Sequence, residues 1–590
     1  MSQGGNVGFY DRELGDVKRV KPVHPDGETL RFNWNAAIAQ DPNNSCGIYY
    51  GSQYLHYTDD CGDSYVILSG DLTTNDTSKQ HADISGGLTI DATQAENYTT
   101  IVSIAPSPVD EKVIWVGTDD GNLQLTRDRG DNWNNLNSRL SGAPRGSWIP
   151  QIVASEKNAG EAFVVVNNYR RNDYSAYAYH TTNYGNSFKR IADDSQIKGF
   201  VLSIVQDPVE PNLLFLGTDV GLYMSLDMGK NWQHMNKGFP AVQVSDLKIH
   251  PREHDLVIGT FGRAFWILDD IRPLRALASR GTEILDSTLM LFDSPIAYHT
   301  SRRSYDGIRF NAQGEFVGDN KNVGYARINT WRAPGEDADK EEKVKVYVKN
   351  ADGDTIRTVS RKIKGGFSRI GWYLEEDGVR YPSRREAKED DDKPGGVDVL
   401  PGEYKVIVKM GDHVDSTMIT VKLDPRSEMK ISDFEANIQA QKDYQSIITM
   451  AAEGFDRIRT AKKTIKKVKG MMSNQEKEIK TEIDSLHKIL NTELDSLEKL
   501  YMMPEGLKGI QRNPNNLRGK LFNGGGYIRG SWGQPGPNAL NAVNDAENIT
   551  KATVKAINDF VKNKWEPYKA RVKEIQVKLF EDNMDEVKIE

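Results

Sequence analysis

Three carboxylates stand where acid–base chemistry could be done. Asp119 and Asp120 follow Ile114-Trp115-Val116-Gly117-Thr118, and Asp219 follows Gly217-Thr218. Glycoside hydrolysis needs two carboxyl groups across a cleft, about 5–5.5 Å apart for retention or about 6.5–9.5 Å for inversion. Asp119 or Asp120 with Asp219 is the best such pair. Around them are residues suited to hold a ligand: Lys79, Glu96, Arg145, Trp148, Arg170, Asp173, Tyr174 and Arg263. Charged groups can bind a polymer's polar groups, and an aromatic ring can stack on a sugar face. Surface loops are polar in any fold, however, and some of these charges can pair with each other. No diagnostic catalytic motif accompanies the acids.

The elements that would position these residues repeat. Thr126-Arg127-Asp128-Arg129-Gly130-Asp131-Asn132-Trp133 has the form Ser/Thr-x-Asp-x-Gly-x-x-aromatic. Copies begin at Thr58, Thr181 and Ser225, with Asp60, Asn183 and Asp227 in the acidic slot. A short Asp or Asn side chain accepts N–H bonds within its own turn, and Gly supplies a φ that other residues resist. Each copy lies behind an alternating strand pattern. In one copy the strands are 99–104, 113–116, 123–126 and 133–136. Four-stranded units recurring at about 45–65 residues indicate a mainly β chain built as a β-propeller. A β-sandwich with coincidental turns is the alternative.

The expected blades are 35–70, 98–138, 148–192, 199–238 and 243–298. Residues 7–10 and 17–20 look like the two outer strands of another blade, so the ring is expected to be incomplete. An N-terminal propeller portion, on the same or another chain, would supply the rest. Strand order puts the Asp-containing turns on the bottom face, in a structural role. The turns between second and third strands, with the blade-to-blade links, lie on the top face. The candidate acids and ligand-binding residues all fall in these top-face segments.

The repeats resemble the BNR, or Asp-box, propellers of sialidases, xyloglucanase-type glycoside hydrolases and sortilin-type receptors. The bacterial sortilin-type group often labelled glycosyl hydrolase is the best match. Ile114 to Gly121, Asp255 to Arg263 and Trp266 to Asp270 carry the likeness, which spans about residues 5 to 425. It implies a propeller followed by a small Ig-like sandwich, and either glycan hydrolysis or binding of a glycan or peptide. The arginine triad and Tyr–Glu pair of sialidases cannot be placed here. Group members are typically longer at the N-terminus and begin with an export signal; this chain departs on both points.

The chain has 590 residues, 38% hydrophobic and 27% charged, so two to four domains are expected. The expected division is a propeller over 1–298, an Ig-like β-sandwich over 299–427 and an α-helical bundle over 428–590. The helical stripes could instead form a coiled-coil surface for a partner. A Gly/Pro-rich loop is expected over 513–538, either a binding loop or one that is mobile or covers an edge. Pro567 should kink or divide the third helix. A net charge of −8 argues against nucleic acid as a partner. No apolar run approaches a membrane span, and no metal site or cofactor motif is visible.

Cys46 and Cys61 flank a predicted hairpin and should meet at its far end as a disulfide. A bridge would favour the periplasm, cell surface or exterior over the cytoplasm. The preferred reading is an exported, non-catalytic propeller that binds a polysaccharide or peptide on its top face. A glycoside hydrolase using paired top-face carboxylates is the alternative.

Overall fold

The computed structural model describes residues 3–11, 13–81, 95, 97–300, 324–335, 337–425, 427–472, 475–509, 513, 515–531 and 533–576. The chain divides into two compact units, Met1–Ile284 and Leu285–Glu590.

The first unit is a succession of antiparallel sheets, each built in chain order. The first holds Ile38–Gln40, Ile48–Gly51, Leu55–Thr58 and Val66–Ile67. The second holds Ile101–Pro106, Ile114–Thr118, Leu123–Thr126 and Asn134–Asn135. The third holds Trp148–Ala154, Ala162–Asn168, Asp173–Thr181 and Lys189–Ala192. The fourth holds Val201–Gln206, Leu214–Thr218, Gly221–Ser225 and Gln233–His234. A two-stranded hairpin, Gly8–Tyr10 with Val17–Arg19, precedes them.

The two central strands of each four-stranded sheet are largely buried on both faces, because each sheet is covered on both sides. Trp115, Leu123 and Leu125 of the second sheet pack on Ile149, Ile152 and Val164 of the third. Phe163 and Val165 of the third pack on Val201, Ile204 and Leu216 of the fourth. Tyr49 and Leu55 of the first pack likewise on Ile101, Ile114 and Val116 of the second. The innermost strands of successive sheets lie beside each other. Four-stranded sheets stacked face to face in this way make a β-propeller.

The Asp-containing turns share one bonding scheme. The Thr or Ser hydroxyl donates to the Asp or Asn side chain, at 2.7 Å for Thr126 on Asp128 and 2.8 Å for Ser225 on Asp227. The same hydroxyl accepts the glycine N–H, 2.9 Å from Gly62, Gly130 and Gly229 and 3.1 Å from Gly185. Asp60 and Asn183 accept the N–H of Ser64 and Ser187, both at 3.0 Å. The aromatic residue does more than pack beneath its own turn. Trp133 Nε1 donates to Leu68 O of the preceding sheet at 3.2 Å, and Trp232 Nε1 to Ile191 O at 2.7 Å. The turns of the second and fourth sheets therefore fasten each to the sheet before it.

Cys46 and Cys61 form a disulfide, with Cα atoms 4.4 Å apart. The Cys61 N–H also donates to Cys46 O at 3.2 Å. The bridge spans 15 residues. By the chain-entropy argument, replacing both cysteines with serine should lower the unfolding free energy by about 3 kcal/mol. Denaturant titration of the oxidised protein beside the double variant measures this.

The fifth sheet departs from expectation. It has three strands, Val244–Ile249, Leu256–Thr260 and Phe265–Leu268. The chain then turns into a helix, Arg272–Arg280, with Pro273 in its first turn. Ile271, Leu274 and Ala278 pack in the cluster formed by the fourth and fifth sheets, and Leu277 is buried. Residues 285–298, expected in this blade, belong to the second unit. Leu289–Leu291 pairs with Ala326–Arg332, and Ala297–His299 runs parallel to His413–Leu423. The boundary therefore lies near residue 284, not 298.

In the second unit, a three-stranded and a five-stranded sheet share one core that includes Ile328, Trp372, Val346, Val406 and Ile419. Helices follow at Ile431–Met471, Lys477–Tyr501, Leu517–Arg529 and Pro537–Phe560, around a core containing Ile448, Phe455, Leu494, Leu521 and Ile557. Leu517–Arg529 corrects the expected loop over 513–538. Its glycines permit a close approach: a Cβ on Gly524 would lie 2.5 Å from the Tyr444 hydroxyl, which donates to Leu521 O at 2.8 Å. Ahead of Pro567 the last helix widens to a π-turn over Val561–Trp565. No helix among the described residues is long and apolar enough to cross a membrane.

Candidate functional site

The third sheet supplies the centre of the site. Its first strand opens at Trp148, paired with Asn167 of the second strand. The second and third strands are joined by a tight turn, Tyr169–Arg171, closed by Asn172 at φ 60°. This turn brings the Arg170 guanidinium over the Trp148 ring, 3.4 Å from its centroid and 4.5 Å from that of Tyr169. Tyr169 in turn stacks on Phe200 at 4.3 Å and 18°. Arg170 is thus held between two rings, which fixes where its N–H edge points. Such contacts contribute about 0.5–2 kcal/mol each.

Beside this stack is a cleft of about 190 Å³, lined by Tyr98, Gly146, Trp148, Asn167, Asn168, Arg170 and Arg171. Three segments build it: the link before the second sheet, the link before the third, and the Tyr169–Arg171 turn. Arg171 Nη1 donates to Arg145 O at 2.9 Å, which ties the last two together. The Lys79 ammonium lies 5.7 Å from the Tyr98 ring centroid and 3.0 Å from Asp76 Oδ2. Burial pushes the Tyr98 hydroxyl up to about 12, so it stays protonated and can donate. The volume suits one sugar ring or one side chain, below the range of sites that enclose whole ligands.

Of the residues expected to bind a ligand, Trp148 and Arg170 line the cleft, the Lys79 ammonium lies beside its Tyr98, and Arg145 meets the lining through its carbonyl oxygen. Asp173 and Tyr174 leave the same turn. Asp173 is occupied, accepting from Asn168 Nδ2 and the Tyr177 hydroxyl, both at 3.1 Å. Burial raises its pKa, but these bonds and the Ser175 N–H outweigh burial and hold it below the ordinary value. Tyr174 is exposed, its ring 6.1 Å from Phe200. Asp219 and Arg263 sit in the corresponding turns of the fourth and fifth sheets, outside the cleft lining. Glu96 lies outside the described residues.

Asp119 and Asp120 are not the open acids expected from their turn. Asp119 is fully buried. It accepts the Thr100 N–H at 2.8 Å, the Thr100 hydroxyl at 2.7 Å and Asn33 Nδ2 at 3.1 Å. Asp120 is 5% exposed and accepts the Thr74 N–H at 2.7 Å and the Thr74 hydroxyl at 2.6 Å. The links before and after the first strand positions fold over this turn, so both carboxylates fasten the top face together. Asp219 differs. It is partly buried, its Oδ1 has no hydrogen-bond partner, and burial raises its pKa.

Burial pushes Asp119 up to about 7, against the opposing Thr100 and Asn33 bonds. The folded state then holds a proton that the unfolded chain has released, so stability falls as pH rises from about 4 to about 7. Asp119→Asn removes this slope. The difference in unfolding free energy between wild type and variant should change by about 2–4 kcal/mol across that window. Denaturant titrations at pH 4, 5.5 and 7.5 give the comparison.

Tyr98 and Tyr169 were missed by sequence reasoning, whereas Arg171 lies inside the top-face segment 170–174 that the sequence singles out. Tyr169 adjoins that segment, and an aromatic next to two arginines in a top-face turn was the available signal. Tyr98 gave none beyond its place just ahead of an innermost strand.

No protein-family model matches the sequence, and no curated protein matches it. Solved structures show a distant likeness. An ancestral GH74 enzyme aligns at 14% identity with a TM-score of 0.30, covering 61% of this chain and 40% of its own. The GH74 enzyme of Niastella koreensis aligns at 11% identity with a TM-score of 0.32, covering 70% and 62%. YCF48 from Cyanidioschyzon merolae aligns at 13% identity with a TM-score of 0.26, covering 58% and 96%. The chain spans less than two thirds of either GH74 enzyme.

Proposed function

We propose that this chain is an exported, non-catalytic propeller protein of the Asp-box, sortilin-like kind, which binds an acidic glycan or an acidic peptide at the Trp148–Arg170 cleft. The observation that carries this reading is the cleft's chemistry. Arg170 and Arg171 stand in the lining with Lys79 beside it, next to the rings of Tyr98 and Trp148, and the lining holds no carboxylate among the described residues. A held guanidinium recognises a carboxylate through paired N–H donors, and an aromatic face takes a sugar ring or an apolar side chain. The five sheets would be propeller blades, the two-sheet core of the second unit an Ig-like sandwich, and the helices a bundle that docks the protein. The disulfide supports an oxidising compartment such as the periplasm, the cell surface or the exterior.

A glycoside hydrolase is the second reading, and one observation favours it. Asp219 carries a raised pKa and a buried, unpartnered oxygen, as a general acid can. The partners expected for it from the sequence, Asp119 and Asp120, are instead bonded to Thr100, Asn33 and Thr74. Release of reducing ends from neutral and acidic polysaccharides by the purified chain separates the readings. No release above the blank is expected. Release that Asp219→Asn lowers by about 10²–10⁴-fold would replace binding with catalysis.

A further inference from the structure

Among the described residues, no basic side chain bonds to Asp119. The residue is fully buried, and its three partners, the Thr100 N–H, the Thr100 hydroxyl and Asn33 Nδ2, are all neutral. Asp120 stands next to it with neutral partners as well, the Thr74 N–H and the hydroxyls of Thr74 and Thr118. Burial without a bonded cation and a carboxylate next door both favour the protonated form of Asp119.

The cage around Asp119 holds either protonation state. The Thr100 hydroxyl, 2.7 Å from Asp119 Oδ2, donates to the ionised carboxylate. A hydroxyl is also an acceptor, so the same contact takes a proton carried on Oδ2 without moving a heavy atom.

Asp119 also backs the cleft. Asn33 Nδ2 donates to Asn97 O at 3.3 Å as well as to Asp119. Through Asn33 and Thr100, Asp119 thus grips the link on both sides of Tyr98, a lining residue. Its turn ends at Gly121, φ 93°, where a Cβ would lie 2.6 Å from the Cα of Gly146, another lining residue. The Asp119 charge acts on both the Tyr98 hydroxyl and the Arg170 guanidinium. The other charged groups facing this region are Arg31, Arg171 from the third sheet, and the Lys79–Asp76 pair beside Tyr98. Arg31 donates to Thr99 O at 3.2 Å and pairs with Asp71.

We infer that the cleft takes up a proton when it binds an acidic ligand, and that Asp119 holds it. The coupling presupposes the Trp148–Arg170 cleft as the ligand site. A ligand carboxylate at Arg170 and a charge on Asp119 compete for the same guanidinium, across buried protein that screens them weakly. A neutral Asp119 leaves the guanidinium to the ligand, and a bound ligand strengthens the hold of Asp119 on its proton by the same factor. Burial already holds that proton up to about 7. Affinity for an acidic ligand is therefore high below that pH and falls as pH rises through it. The fall should be roughly 3- to 20-fold between pH 5.5 and 8.5.

Calorimetric titration of the full chain with tetragalacturonate, 3′-sialyllactose and hexaglutamate, at pH 7 in buffers of different ionisation enthalpy, counts the protons. Each ligand that binds should take up about 0.3 proton or more. Asp119→Asn, neutral at every pH, should bind with an affinity that no longer changes over this range and with no uptake. The Asp119 carboxyl resonance of the wild type locates the proton without recourse to the variant. Its titration midpoint should rise by about half a pH unit or more when ligand saturates the cleft. Binding without proton uptake, uptake undiminished in folded Asp119→Asn, or an unmoved midpoint would overturn the coupling alone. No binding of any of the three ligands at any pH would overturn the cleft as a site for acidic ligands, and the coupling with it.

Discussion

Replacing Asp207 with alanine should destabilise the first unit by about 3–5 kcal/mol, because it leaves a buried guanidinium without its counter-charge. Arg275 on the helix after the fifth sheet donates from Nε to both Asp207 oxygens, at 3.0 and 2.9 Å. Its Nη2 lies 2.8 Å from Oδ2, and the two side chains are 9% and 0% exposed. Asp207 also accepts the N–H groups of Val209 and Glu210 at 2.8 and 2.6 Å, fixing the turn before the second strand of the fourth sheet. The pair thus pins the helix that follows the third strand of the fifth sheet. Arg275→Met alone should also be costly, since it strands the carboxylate. The double variant Asp207→Asn/Arg275→Met should recover part of the loss, because it removes both charges. Denaturant titrations of the four proteins give the coupling; full additivity would show that the pair does not act as a unit.

The second large effect concerns the cleft. Trp148→Ala removes the ring under Arg170, and Arg170→Ala removes the held guanidinium. Aromatic and arginine anchors at the centre of a binding site typically account for 2 kcal/mol or more, so each change should weaken ligand binding by about 30-fold or more. Lys79→Ala should weaken it only a few-fold, since that ammonium is already shared with Asp76 and remains hydrated. Neither cleft variant should greatly change folding, because Trp148 opens its strand half-buried and Arg170 lies in an exposed turn. Equal affinity for wild type and Arg170→Ala would remove the cleft as the binding site.

The turns that repeat were legible because their bonds are local. Thr126, Asp128 and Gly130 satisfy one another within five residues, so spacing alone carries the structure. The strand order that follows put Trp148 and Arg170 on the same expected face, and these two line the cleft. Three things escaped for one reason, which is that distant segments decide them. Asp119 and Asp120 are polar residues in a polar turn, and only Thr74, Thr100 and Asn33 folding over them turns them into fasteners. Leu289–Leu291 has a strand's composition, but its partner at Ala326–Arg332 could not be read from the pattern. The glycines of Leu517–Arg529 look like a loop until Tyr444 is set against Gly524. Tyr98 joins the cleft only through the approach of Trp148 and Arg171 from the next sheet.

The central claim is that a cationic, aromatic cleft on the third sheet recognises an acidic ligand without cleaving it. Its most direct test is binding of the full chain and of Arg170→Ala to one array of matched neutral glycans, uronic-acid or sialic-acid glycans, and acidic peptides. The wild type should bind acidic members only, more weakly as salt is raised, and Arg170→Ala should lose them. Binding of neutral glycans as strong as that of their acidic counterparts, or acidic binding that survives in Arg170→Ala, would contradict the account.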